Sequence, residues 1–450
     1  MKIISEASES VLTILKRFSR NEKSTCWSQY SVKTPVTEGV LVFNLLTREL
    51  ILLDREEYGR YTELDYLKDH RFVIPENVNE KEIADFVKLL LNTRQAKPKE
   101  ITSYTIFTTT DCNARCFYCF ELGGSRIPMN CETAQKVVQY IKRHSGGKKV
   151  SIYWFGGEPL LNVAAIDTIA EGLHREGIDF SSQMVSNGYL FDDMLVRKAI
   201  DCWNLKKVQI TLDGTEKVYN KIKAYIYRDS NPFVIVMNNI ARLLQTGISV
   251  SVRLNMDLYN ADDLLLLTEE LAQRFSGRSG ISVYSHHLFK GETSNVELHS
   301  DEEWEKRQAA MDRLNEALEI KGLLSKKGIS KKIKQNHCMA DSGRSVTILP
   351  NGNLGLCEHY TESEFIGHLD RDDFDTAMVN SWMERVPEIS ECKECFYYPD
   401  CIKLRKCSTN SVCYPQFRKG KLKSTQRAML CEYERWLTKT NTEEADDSFC

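Results

Sequence analysis

The apolar positions of the first hundred residues change period along the chain. Residues 39–53 form a nearly unbroken apolar run around a turn near 46–48, which predicts two strands. Residues 56–67 and 79–95 predict helices. In the second, Ile83, Phe86, Val87, Leu90 and Leu91 recur at helical spacing, and Asn79 can cap the first turn. Lys97-Pro98-Lys99 breaks the pattern and predicts a boundary, so that 1–98 reads as a small separate unit.

Beyond residue 100 the pattern alternates. Strands are predicted at 103–108, 149–155, 183–186, 207–212, 249–255 and 281–286. Helices are predicted between them, at 131–143, 163–176, 192–202, 232–245 and 264–275. Such alternation predicts an α/β fold: a parallel sheet covered by helices over 99–300, closed or partly closed into a barrel, with ligands at the C-terminal ends of its strands. Residues 301–336 predict a charged helical linker, 337–438 a further unit with a short strand at 345–349, and 439–450 an acidic, disordered tail.

Composition narrows the function. The chain is 42% apolar and 27% charged, with a net charge of −3, so no global charge points to nucleic acid. No apolar run approaches the roughly 18 residues that span a bilayer, and the first ten residues carry acids where a signal peptide needs apolar side chains. A cytoplasmic protein is expected, in which clustered thiols are metal ligands or catalysts rather than disulfides.

The 15 cysteines are distributed unevenly. Three fall within eight residues and nine lie after residue 337. The first group is Cys112-x3-Cys116-x2-Cys119, just after the first predicted barrel strand. Three thiolates on one loop can hold three irons of a [4Fe–4S] cube, leaving the fourth iron open to a small molecule. A zinc knuckle would need a fourth ligand, and the local sequence has no histidine. Tyr118 stands where it can stack beside a bound cofactor.

On this spacing, its aromatic before Cys119 and its place after a strand, the chain resembles the radical SAM superfamily. The resemblance implies a partial (β/α)6 TIM-like barrel and a cluster whose open iron chelates S-adenosyl-L-methionine. It also implies a 5′-deoxyadenosyl radical that abstracts hydrogen, and a reductant such as flavodoxin or ferredoxin. It assigns Gly156, Gly157 and Glu158 in Trp154-Phe-Gly-Gly-Glu-Pro159 to the methionine amino group. Ser186 and Asn187 fall to the ribose and carboxylate, and Arg253 and Asn255 to the strand end that clamps the carboxylate. Asp213-Gly214 reads as structural, with lining of the cavity as the alternative.

Cys338-x13-Gly352-x4-Cys357, then Cys392-x2-Cys395-x5-Cys401, resembles the SPASM iron–sulfur extension of peptide and sulfatase maturases. That pattern expects a cysteine four residues after Cys401. Arg405 stands there, with Cys407 two residues on and an extra Cys413. Carried over by position, Cys338, Cys357 and Cys407 serve a first auxiliary cluster that can keep an open iron. Cys392, Cys395, Cys401 and Cys431 serve a second, with Cys407 and Cys413 interchangeable on paper. Cys26, Cys131, Cys202 and Cys450 fit no motif.

The first unit resembles the winged-helix-like precursor-recognition domain of ribosomal peptide maturases, which adds a leader peptide to a sheet edge. Here residues 39–53 would supply the strands and 79–95 one wall. The implied function is crosslinking of a ribosomal precursor peptide, most of all by a thioether. One alternative is a formylglycine-generating sulfatase maturase, in which Glu358, just after the second SPASM cysteine, would be the base. Carbon–carbon or carbon–oxygen crosslinking is another, and a non-catalytic iron–sulfur electron carrier is the reading from outside catalysis.

Overall fold

The computed structural model describes residues 1–450 apart from 17, 19–23, 95–99, 122–123, 289–299, 325–326, 360–363, 408–412, 414 and 448–450. The boundary expected at 97–99 and Cys450 lie outside the described residues. Among the described residues, no helix is long and apolar enough to cross a membrane.

The apolar run of 39–53 becomes two paired strands, but they are not alone. In the N-terminal unit β1 (Lys2–Ser5), α1 (Glu9–Leu15), β2 (Thr25–Trp27), β3 (Ser31–Val36), β4 (Gly39–Asn44) and β5 (Glu49–Leu53) precede α2 (Arg55–Gly59), α3 (Asp65–Asp69), β6 (Val73–Pro75) and α4 (Glu80–Arg94). The main sheet runs β1-β5-β4-β3, all antiparallel, and β2 pairs with β6. Its apolar positions do not alternate because both faces are covered. Leu41, Phe43, Leu50 and Leu52 face one core with Val11, Ile14, Ile83 and Val87, while Val42, Ile51 and Leu53 face another with Leu67 and Phe72.

Two expectations change here. The helix expected at 56–67 is broken into α2, a 3-10 turn at Tyr61–Glu63 and α3. A capping box of Asp54 and Glu57 starts α2, and Gly59 ends it, since glycine is poor at propagating a helix. The strands of 39–53 are interior to the sheet, so its edges are β1 and β3 instead.

The barrel strands are β7 (Ser103–Thr109), β8 (Val150–Gly156), β9 (Phe180–Ser186), β10 (Leu205–Leu212), β11 (Ser249–Met256) and β12 (Ile281–His287). Each pairs in parallel with the next. Between them run α5 (Cys131–His144), α6 (Val163–Arg175), α7 (Asp193–Asp201), α8 (Glu216–Lys223), α9 (Pro232–Gln245) and α10 (Ala261–Phe275). Side-chain caps start several of these helices: Asn130 accepts from Thr133 N, Asp192 from Leu195 N, and Asn231 from Val234 N before Pro232.

After α11 (Asp301–Ile320) the chain returns to the same sheet. β13 (Ser345–Ile348) lies parallel to β7 and leads antiparallel into β14 (Asn353–Gly355) and β15 (Gly367–His368), giving the order β12-β11-β10-β9-β8-β7-β13-β14-β15. The strand expected at 345–349 thus extends the barrel sheet. α12 (Thr376–Met383) and the long α13 (Pro415–Asp447) complete the chain. The tail expected to be disordered from residue 439 is helical backbone as far as Asp447, because α13 simply continues.

The N-terminal unit docks on the C-terminal region. Arg48 pairs with Asp400 at 2.9 Å, both largely buried, and Lys88 of α4 donates to the carbonyls of Tyr398 and Cys401. Met429 and Tyr433 of α13 join the same N-terminal core, and Gln426 donates to the Lys33 carbonyl on edge strand β3.

Candidate active site

The Cys112–Cys119 loop leaves the C-terminal end of β7 and is held by its own chain before any ligand is considered. Asp111 Oδ1 accepts from Cys112 N, and Cys119 N donates to Cys116 O. The segment after α8 clamps it from the side: Arg115 N donates to Lys223 O at 2.8 Å, and Ile226 N to Asn113 O at 2.9 Å. Ala224 takes a left-handed conformation there, φ +44°.

Gly156 and Gly157 bring the end of β8 against this loop. A Cβ on Gly156 would lie 2.0 Å from the Thr109 carbonyl oxygen, and one on Gly157 2.3 Å from that of Asp111. Any side chain would push the two backbones apart, and Gly157 N and Glu158 N instead donate to Thr109 O and Asp111 O.

Glu158 is fully buried, and donors of this chain already reach both of its oxygens. Oε1 accepts from Leu160 N and Ser186 Oγ, and Oε2 from Asn187 N at 2.8 Å. Burial pushes its carboxyl up to about 7 against those bonds. Glu158 and Ser186, which the sequence assigned to the methionine amino group and to the ribose and carboxylate, also brace β8 against β9. Ser186 Oγ also accepts from Gly188 N. Asn187 reaches the cysteine loop itself, donating to Asn113 Oδ1 at 2.6 Å.

Tyr118, Arg253 and Asn255 are linked through one another. Arg253 donates from Nε to Asn255 Oδ1, and Asn255 Nδ2 donates to the Tyr118 hydroxyl at 3.2 Å. Tyr118 donates to Asp213 Oδ2 at 2.7 Å and accepts from Lys223 Nζ, and Lys223 and Asp213 pair at 3.0 Å with almost no exposure. Asp213 Oδ1 is buried with no hydrogen-bond partner and is free to accept from a ligand.

Sequence reasoning missed Lys223, Asn113 and His286 and read Asp213 as structural. The only signal for Asp213 was its place directly after a barrel strand. Lys223 carried none, because α8 alone brings it in. His286, at the end of β12, faces Arg253 Nη2 at 3.0 Å; burial and that guanidinium push its imidazole down to about 4, leaving it neutral.

All three loop thiols are pushed up by burial, Cys112 to about 12 and Cys119 to about 11, with Lys223 opposing the shift at Cys116. Cys112 feels both other thiols, yet among the described residues no three His, Cys, Asp or Glu side chains converge tightly enough for a single metal ion.

The second group lies beside the first. Cys338, Cys357 and Cys407 act electrostatically on one another, and Cys357 and Cys407 pack against the barrel core. The Cys357-Glu358-His359 segment touches the first loop: the His359 and Phe120 rings are 4.4 Å apart. Glu358 Oε2 lies 3.9 Å from the Cys357 sulfur.

Residues 106–271 match the family model of the Radical SAM superfamily. A probable GTP 3′,8-cyclase of Methanococcus maripaludis is 32% identical over 129 residues, 28% of this chain and 41% of that protein. The radical SAM cyclopropyl synthase TigE of Paramaledivibacter caminithermalis is 24% identical over 174 residues, 32% of this chain and 36% of that one. The chain therefore spans less than half the length of the curated relatives it matches.

Two solved structures share the fold more broadly. anSMEcpe with bound AdoMet and the Cp18Cys peptide aligns with a TM-score of 0.55 at 14% identity, over 76% of this chain and 99% of that one. Streptococcus suis SuiB bound to its precursor peptide SuiA aligns at 0.51 and 12%, over 84% and 94%. With its thiol-bearing loop at the C-terminal end of a parallel α/β sheet, the region 106–271 is a radical SAM domain, set in a fold shared with anSMEcpe and SuiB.

Proposed function

We propose that this enzyme matures a ribosomally made precursor peptide, forming an intrapeptide crosslink, with a thioether the favoured bond. The observation that carries the reading is the contact of Phe120 and His359, which sets two three-thiol groups side by side at one end of the barrel. The solved relatives anSMEcpe and SuiB are bound to peptides, which supports a peptide substrate here.

Cys112, Cys116 and Cys119 would hold the cluster that binds S-adenosyl-L-methionine, and the bound pair supplies a radical that removes hydrogen from the substrate. Tyr118 is fixed by Asp213, Lys223 and Asn255 beside that cluster, and Asp213 Oδ1 is the acceptor offered to the cofactor. Arg253, held by Asn255 and His286, presents its guanidinium at the same strand ends. Cys338, Cys357 and Cys407 would hold the first auxiliary cluster, whose open iron suits a substrate thiol. Cys392, Cys395 and Cys401 belong to a second. A leader peptide would dock on the N-terminal unit at an edge of its sheet, β1 or β3. A flavodoxin or ferredoxin would supply electrons.

The place of Glu358 directly after Cys357 favours formylglycine generation as the second reading, with Glu358 as base. An N-terminal unit packed on the auxiliary region favours the first.

Two measurements test this. Anaerobically reconstituted and reduced protein is expected to release 5′-deoxyadenosine from S-adenosyl-L-methionine; none released defeats the enzyme chemistry. Coexpression with a small neighbouring open reading frame is expected to give a peptide lighter by two hydrogens per crosslink. An unmodified peptide, or a formylglycine product on a sulfatase-type peptide, defeats the first reading.

A further inference from the structure

The auxiliary cysteines divide between two places. Cys392 sits in a 3-10 turn, Ser390–Glu394, Cys395 N donates back to Cys392 O, and both residues pack against the N-terminal core. Cys401 follows the next turn, its N–H donating to Tyr398 O.

Cys413 arrives at the same place from the other side. It lies two residues before α13, and Phe417 in the first turn of that helix is 6.3 Å from the Tyr397 ring and 4.1 Å from Lys403 Nζ. Lys421, one turn on, lies 5.4 Å from the Tyr397 ring. The Cys413 thiol interacts electrostatically with those of Cys392, Cys395 and Cys401. Half-buried Lys88 and buried Lys403 lie beside the group, Lys88 Nζ donating to the Cys401 carbonyl at 3.4 Å.

Cys431 stands elsewhere. It is fourteen residues beyond Phe417 and ten beyond Lys421 on one helix, about 21 Å and about 15 Å along its axis. It continues the every-fourth-residue stripe of Lys423 and Arg427, which reach Asp312 and Glu319 on α11.

Resting on the reading that this region holds two auxiliary clusters, we infer that Cys392, Cys395, Cys401 and Cys413 are the four ligands of the second, and that Cys431 is not one. Cys407 then stays with Cys338 and Cys357. Cys407 packs with Cys357 on the barrel core, whereas Cys413 faces Cys392, Cys395 and Cys401, which separates the two, and the extra cysteine replaces the distant helical one.

The test compares full-length Cys413→Ala and Cys431→Ala, each reconstituted anaerobically, by iron and sulfide content and by Mössbauer and EPR spectra. Cys413→Ala is expected to lose roughly a third of its iron, one cube of three, or to convert one auxiliary cube to a three-iron form or to one that binds added imidazole. Cys431→Ala is expected to match the unmodified protein. The reverse pattern, equal loss in both, or no change in either overturns the inference.

Should Cys413→Ala not fold, alkylation of the unmodified holoprotein decides. Cys413 is expected to be protected until a chelator removes the iron, while Cys431 reacts alike in both states. Equal labelling of Cys413 before and after chelation overturns the assignment. Unmodified protein that takes up only one cluster defeats the two-auxiliary reading itself, before any variant is compared.

Discussion

Cys112, Cys116 and Cys119 share one loop, and that loop is gripped by strand ends and by the segment after α8. Cys338, Cys357 and Cys407 come from three segments spread over seventy residues and meet only because β13 and β14 join the barrel sheet. The first site is written in local spacing and reinforced by tertiary contacts. The second exists only through them. A local set depends little on distant chain, whereas a dispersed one depends on every segment that supplies a member.

The largest effect should come at the local site. Cys112→Ala is expected to reduce 5′-deoxyadenosine release to background while the auxiliary clusters remain, by the same iron count and EPR. Retained cleavage would erase the difference between the regions.

Next is the buried pair beneath the loop. Asp213→Asn leaves the Lys223 ammonium without its partner in a buried site and is expected to cost about 3–5 kcal/mol in anaerobic denaturant unfolding. Adding Lys223→Met should recover part of that loss; strictly additive effects would show that the two residues do not act as a pair.

Glu158 sharpens the comparison through pH. Its carboxyl is raised from 4.5 to about 7 in the folded chain, so its contribution is fully present below about 4.5 and is lost as pH rises through about 7. Over that window the metal-free protein should lose about 3 kcal/mol from this group, and Glu158→Gln should flatten the slope. Equal slopes in urea unfolding at several pH values would refute the assignment.

The smallest effect is expected where the N-terminal unit docks on the C-terminal region. Asp400 is partly exposed, and Asp400→Asn weakens its pair with Arg48 without emptying the contact, because Lys334 N also donates to it. A loss of about 1–3 kcal/mol is expected, read as looser docking of the N-terminal unit by hydrogen exchange in 39–53. Unchanged exchange would mean that the unit is held mainly by the apolar contacts of Met429 and Tyr433.

The six barrel strands and all of the helices between them except α8 were legible, because alternating apolar periods reflect which face of each element is buried. The cysteine loop was legible because its ligands are neighbours in sequence. Tyr118, Arg253 and Asn255 were each named from the sequence, but their hydrogen bonds to one another were not legible, nor was the approach of Asp213 and Lys223 to Tyr118 from different elements. The run at 39–53 told of strands without telling of their neighbours. Both faces of that sheet are apolar, so nothing in the pattern marks an edge.

By itself, then, the sequence determined the parallel sheet, the thiol-bearing loop at its C-terminal end and the glycines beside it, because local backbone and periodic burial depend on nearby residues. Tertiary structure alone decided that Glu158 is a brace, that β13 extends the barrel and that Cys413 stands with Cys392, Cys395 and Cys401. Those outcomes depend on which distant segments share a buried volume, and spacing along the chain does not encode that distance.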